Sequence, residues 1–266
     1  MLGHGEISKV IAWSADSIYS HAAIVADDGD LIEAAPAGVR RVCIAERLED
    51  SANYHFVDAF RPLTADARAL TEADRAAVLC KEVSLLGTPY PLDALATLGL
   101  LIAIRGKLPQ GHMARLLFRL ALDHIVNDDP THQMCSEVVY RSLAECDTAP
   151  RRKLAPEIVV TPPTHWPFPH IDWPELIREL HDLRRRQVPH LDIRALEAGE
   201  AAEPGADHDL ENLLQRARRT CGIDSEQGRR GETVAQSDPN PKLVTPLDLA
   251  TTPSHECLGR LMGPPV

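Results

Sequence analysis

Basic residues, aromatics and long apolar runs are all in short supply, and each shortage removes a class of function. Twenty-eight Lys and Arg against 39 Asp and Glu leave a formal net charge of −11. That disfavours a nucleic-acid partner, because affinity for phosphate rests on cationic surface. The clusters Arg151-Arg152-Lys153 and Arg184-Arg185-Arg186 are too short to reverse the balance and read as solvated faces. The longest apolar run, residues 92–104, is interrupted by Asp93 and falls short of the roughly 20 residues a spanning helix needs. It is expected to be a buried helix, and no transmembrane segment is expected. Glu6, Lys9 and Asp16 leave no apolar stretch near the start, so no signal peptide is expected and the location reads as cytoplasmic.

The six cysteines (Cys43, Cys80, Cys135, Cys146, Cys221 and Cys257) contain no C-x-x-C pair. A disulfide framework would be unusual in a chain of this size without a secretion signal, so reduced thiols are expected. His132 lies three residues before Cys135, but His112 and His124 add no ligand spacing, and one Cys with one His does not make a four-ligand zinc site. There is no G-x-S-x-G, phosphate loop or dinucleotide fingerprint. No cofactor is expected. Oligomeric state is not legible.

What the sequence does contain is a cysteine at a helix start. Val138, Val139, Leu143 and Cys146 recur at helical spacing, which predicts an amphipathic helix after Met134. A thiol at the first turn meets free backbone N–H groups and the positive end of the helix dipole, and both favour the nucleophilic thiolate. A lone cysteine is also commonly a small buried hydrophobe, so the helix alone does not decide the matter.

Upstream, residues 7–16 predict a short helix, and residues 20–26, 31–34, 38–44 and 54–60 predict four strands. Four short strands so close together imply one antiparallel sheet, not βαβ units. Thr71 with Asp74 reads as a capping pair for a helix that Gly87 and Pro89 stop. Two more helices are expected around 92–104 and 113–125, and a strand at 157–160. Beyond Ile171 the chain turns Glu-, Arg-, Gly- and Pro-rich, with amphipathic helices near 176–183 and 210–219 and an apolar-poor stretch at 225–242 expected to be disordered. Residues 1–170 therefore read as the catalytic domain and 171–241 as a charged, partly disordered insertion. Residues 242–266 read as a segment returning to the domain, with Leu243, Val244, Leu247, Leu249 and Leu258 as its apolar contacts.

Five motifs occur in order: Tyr19-Ser20-His21-Ala22-Ala23-Ile24-Val25, Leu31-Ile32-Glu33-Ala34, Gly38-Val39-Arg40, Gly87-Thr88-Pro89-Tyr90 and Cys135-Ser136-Glu137-Val138-Val139-Tyr140. This succession resembles the circularly permuted NlpC-type papain-like cysteine hydrolases, the YiiX-like group related to lecithin:retinol acyltransferase-like proteins. The resemblance implies an α+β permuted papain-like fold, a small antiparallel sheet packed against helices with the nucleophile at a helix N-terminus. It makes Cys135 the nucleophile, His21 the general base, Glu33 the residue that orients the imidazole, and Tyr90 a hydroxyl near the scissile carbonyl. Two features depart from the pattern. The family's opening strand is expected to be missing, and Pro91 replaces an acidic residue after the tyrosine.

The register raises a geometric difficulty for Glu33. A three-residue turn would place it on the face of His21 but opposite Val25, so contact would need strong twist or a bulge. The activity implied is amide or ester cleavage, or acyl transfer, through a thioester on a cell-wall peptide or a lipid. The alternative is a catalytically idle papain-like domain acting as a binding module, with the acidic tail as its interaction segment.

Overall fold

Residues 1–15, 17–91, 130–160, 169–172, 174–176, 178–179, 182, 234–236 and 239–264 are described by a computed structural model. They form a mixed α+β structure of small antiparallel sheets packed with helices. The helices expected around 92–104, 113–125 and 210–219 lie outside the described residues.

The first sheet carries β2 (Ile24–Val25), β3 (Asp30–Ala35) and β4 (Gly38–Cys43), in that order. Its strands follow one another through tight turns: a 3-10 turn at Asp27–Gly29, then Pro36 and Ala37. A second sheet has the order β1 (Leu2–Gly3), β5 (Tyr54–Pro62), β8 (His255–Met262). The expected single sheet of four consecutive strands is thus corrected to two sheets. The fourth strand does not pair with β4, because α2 (Ile44–Glu49) intervenes and β5 finds its partners at both ends of the chain. A two-residue strand, β1, pairs with β5, and α1 (Glu6–Ser14) follows it.

Helix α3 (Glu72–Ser84) begins at the expected capping box, with the Thr71 hydroxyl oxygen accepting from Asp74 N–H and the Asp74 carboxylate accepting from Thr71 N–H. Helix α4 (Cys135–Ala144) forms over the expected residues with its polar and apolar positions segregated as expected, but its polar face is not left in solvent. All ten of its residues are buried. Its polar positions tolerate this because each is paired: Arg141 Nε donates to Glu137 Oε1 at 2.9 Å, Lys242 Nζ lies 3.1 Å from Glu137 Oε2, and the Ser142 hydroxyl bonds Val138 O. Cys135 and Val138 pack with Ile32, Ala34, Val39 and Leu85 under the first sheet, while Val139, Tyr140 and Leu143 pack with Ile158, Val244 and Leu249. The cysteine-bearing helix is therefore the element both apolar clusters share.

Residues 234–236 form β7, antiparallel to β6 (Ile158–Val160), so part of the stretch expected to be disordered is a strand. Three residues are too few to leave a periodic signature among charged neighbours. Farther back, the Glu179 carboxylate accepts from the Glu6 and Ile7 N–H groups, satisfying the free donors at the start of α1. The 3-10 turn Pro241–Leu243, helix α5 (Pro246–Thr251) and β8 then bring the C-terminal segment across α4 and onto β5. Of the five apolar contacts expected there, Val244 and Leu249 are buried and Leu258 is about half exposed. No helix among the described residues is long and apolar enough to cross a membrane.

Candidate active site

His21 precedes β2, and its main chain is held by the end of the opening strand. Met1 O accepts from the N–H groups of Ser20 and His21 at 3.0 and 3.2 Å, and the Met1 nitrogen donates to His21 O at 3.0 Å. The ring is fixed separately. Its Nε2 lies 2.9 Å from Glu33 Oε2, and the ring is near enough to the Cys135 sulfur for each to shift the other's protonation.

Register explains how Glu33 reaches the ring. Ile24 pairs with Ile32 and Val25 with Leu31, which sets Glu33 opposite Ala23, not Val25. The turn spans Asp27–Gly29, closed by Ala26 N–H donating to Asp30 O at 2.9 Å. Moving the turn shifts the pairing by two residues, which keeps Glu33 on the same face and brings it diagonal to His21. No bulge is needed.

The Glu33 carboxylate, about 1 % exposed, accepts from more than the histidine. Arg40 Nη2 donates to Glu33 Oε1 at 2.9 Å, and an Arg47 guanidinium nitrogen reaches the same oxygen at 2.5 Å. Burial alone would raise this carboxyl, but His21, Arg47 and Arg40 hold it well below the usual carboxylate range. Arg47 also lies over the Tyr54 ring, 4.9 Å from its centroid, and that ring faces His21 across 6.4 Å. Neither arginine was singled out as a site residue from the sequence. Arg40 sits in the Gly38-Val39-Arg40 motif and pairs directly with Glu33 across the β3–β4 hairpin, so a register argument could have found it. Arg47 comes from α2 and leaves no comparable signal.

Cys135 occupies the first turn of α4 and is about 7 % exposed. Burial works to raise its thiol, but the His21 imidazolium, with the N–H groups of Ala22 and Ser136, pulls it below its ordinary value. Burial in turn disfavours the charged His21 ring, and the Cys135 sulfur and Glu33 outweigh that, lifting it to about 9. The two shifts run in the same direction, each group favouring the charged form of the other.

Tyr90 packs against the apolar cluster that contains Cys135, and its phenol is pushed up by burial and by the charge on that sulfur. The segment before it is pinned to β4. Gly87 N–H donates to Val39 O at 2.8 Å, and Val39 N–H donates to Thr88 O at 2.8 Å. Gly38 allows this approach: its φ is +99°, and a β-carbon there would lie 2.8 Å from Thr88 O. Pro89 O then accepts from Gln133 N–H at 2.9 Å, which fixes the loop leading into Cys135. Gln133 is fully buried, and its side-chain N–H donates to Pro130 O at 3.0 Å. It lies two residues before the cysteine, yet nothing in its spacing marks it as a positioning residue.

The four residues singled out from the sequence therefore converge: Glu33 is hydrogen-bonded to His21, His21 and Cys135 shift each other's protonation, and Tyr90 packs on the cluster that contains the sulfur. Among the described residues, no group of three or more His, Cys, Asp or Glu could hold a metal ion. Comparison with known proteins finds no matching family model, curated protein or solved structure.

Since Glu33 orients and charges the ring without touching a reacting atom, Glu33→Gln should retain the fold and reduce turnover less than His21→Ala does. The alkaline limb of the activity profile should also move down, because a neutral amide no longer supports the imidazolium. Full activity with an unmoved limb would remove Glu33 from the site.

Proposed function

We propose that the protein is a cysteine-dependent hydrolase or acyltransferase with a permuted papain-like fold, acting on amide or ester bonds of peptide or lipid-type substrates. The observation that carries this reading is the His21 ring, held at 2.9 Å by the buried Glu33 carboxylate and electrostatically paired with Cys135 at the start of α4. In this reading the Cys135 thiolate attacks the carbonyl carbon, and the carbonyl oxygen takes the negative charge. Backbone N–H at the start of α4 and the Tyr90 hydroxyl face that oxygen. His21 delivers its proton to the departing amine or alkoxide, which leaves a thioester on Cys135. His21, now neutral, takes a proton from water or an acceptor alcohol as that oxygen attacks the thioester. The acid or new ester departs, and the ion pair is restored.

The motif order supports the same reading, with the histidine strand ahead of the cysteine helix. A panel of N-acyl amides, peptides and acyl esters, run with the wild-type protein and Cys135→Ala, tests it. Turnover of at least one class that disappears in Cys135→Ala is the expected result. No turnover of any class, with an unactivated Cys135, would favour the binding-module reading instead.

A further inference from the structure

Between the two sheets lies a cavity of about 710 Å³, inside the range of about 300–1,000 Å³ typical of small-molecule sites. Its walls are mainly apolar, with Ile24, Leu31, Phe60, Leu79, Val139 and Leu249 contributed by both sheets and by α3, α4 and α5. His21 and Arg47 border it, but Cys135, Glu33 and Tyr90 do not, so it lies beside the proposed reaction centre and not over the sulfur.

Two of the residues on this wall carry buried acceptors with nothing to accept from. Glu82, on α3, is about 2 % exposed and its Oε2 has no hydrogen-bond partner. His255 has its Nδ1 2.6 Å from Leu249 O, which makes that nitrogen the N–H and leaves Nε2 a bare acceptor, also buried and unpartnered. A buried polar atom without a partner is destabilising, and native structures keep few of them.

The charges around Glu82 do not resolve its position. Arg41 is the nearby cation, but its guanidinium is engaged by Asp27 and Asp30 at 3.3 and 3.7 Å. Burial and the Asp27 charge push the Glu82 carboxyl up to about 7, against the smaller pull of Arg41. Arg47, at another part of the wall, holds Glu33 and Asp50 through its two terminal nitrogens, and its Nε is a buried donor without a partner, open to an acceptor elsewhere on a ligand. What Glu82 lacks is a donor of its own.

We propose that the cavity is a binding site for an alkylammonium-type ligand, a hydrocarbon body that fills the apolar walls and a protonated amine that pairs with Glu82. The unpartnered His255 nitrogen offers a second acceptor to a ligand that also carries a hydroxyl or amide N–H. The site is separate from the thiol chemistry and does not depend on it.

Calorimetric titration of the full chain with n-octylamine, n-octanol and n-octanoate, all below their aggregation concentrations, tests the proposal. The amine should bind saturably at one site and about ten-fold or more tighter than the alcohol, as one charge-assisted pair implies. Octanoate should bind most weakly. Glu82→Gln, nearly isosteric, should bring the amine to the level of the alcohol, and Leu79→Trp, which fills the space, should weaken all three. Should either variant fail to fold by circular dichroism, competition among the three ligands on the wild-type protein decides alone. Absence of saturable binding, an amine no tighter than the alcohol, or a preference that survives Glu82→Gln would overturn it.

Discussion

Iodoacetamide should label Cys135 well below the free-thiol pKa of about 8.5, and His21→Ala should abolish both that labelling and turnover. The reasoning starts from burial, which by itself would raise the thiol. Two sets of neighbours oppose it, the His21 ring most strongly and then the N–H groups of Ala22 and Ser136. Removing the imidazole leaves burial with only the weaker opposition. Turnover should fall by at least about a hundred-fold, the lower end of what a positioned acid or base contributes.

The pH dependence follows from the direction of the two shifts. His21 is raised to about 9, so the ion pair is present below that pH and is lost as pH climbs through it. At the acid end it is lost as the depressed Cys135 thiol regains its proton. Activity should therefore form a plateau with an alkaline limb near pH 9, where the leaving group loses its proton donor. Mass-spectrometric mapping from pH 5 to 9.5 gives the readout, with the exposed Cys80 and Cys257 labelled in the same sample for comparison. A Cys135 profile that stays the same in His21→Ala would sink the catalytic reading.

The site was more legible in the sequence than the architecture that holds it. Cys135, His21 and Glu33 were findable because each sits in a short motif whose chemistry is local: a helix start, a strand entry, a hairpin return. The Glu33 difficulty came from placing the turn one residue too late, which shifts the pairing by two and changes the opposing residue without changing the face. Arg47 and Gln133 were not findable, because their roles exist only once α2 and the 130–134 loop have folded against the sheet. The division into two sheets was hidden for a related reason. Strand β5 pairs with residues 2–3 and 255–262, and contacts so far apart in the chain leave no trace in local periodicity. The helix at Cys135 reads as amphipathic because Glu137 and Arg141 count as polar in a pattern, although they are buried as a pair.

Truncation after Gln236 should remove the cooperative thermal transition, although the lost segment lies about a hundred residues beyond the cysteine. Val244 and Leu249 are buried against α4, and together they represent about 3–6 kcal/mol of gross apolar stabilisation, at about 1.5–3 each. Polar losses add to this. The Ser136 hydroxyl donates to Val244 O at 2.6 Å, one residue after Cys135, and the buried Glu137 carboxylate would lose Lys242. Arg260 Nε donates to Asp58 Oδ1 at 2.7 Å, and Asp58 Oδ2 accepts from the Tyr19 hydroxyl at 2.8 Å, so β8 also steadies the segment that carries His21. Stranding such groups costs about 1–3 kcal/mol each, against a whole-domain margin that starts at about 5 kcal/mol. A companion deletion of residues 184–232 behind a short Gly/Ser linker keeps Val234–Gln236 on β6 and removes a Glu- and Arg-rich stretch, so its midpoint should move little. Scanning calorimetry on both forms decides the matter. A truncated chain that melts within a few degrees of the full one would show that α4 does not need the segment packed across it, and the link from Arg260 through Asp58 to Tyr19 would then have no mechanical consequence for His21.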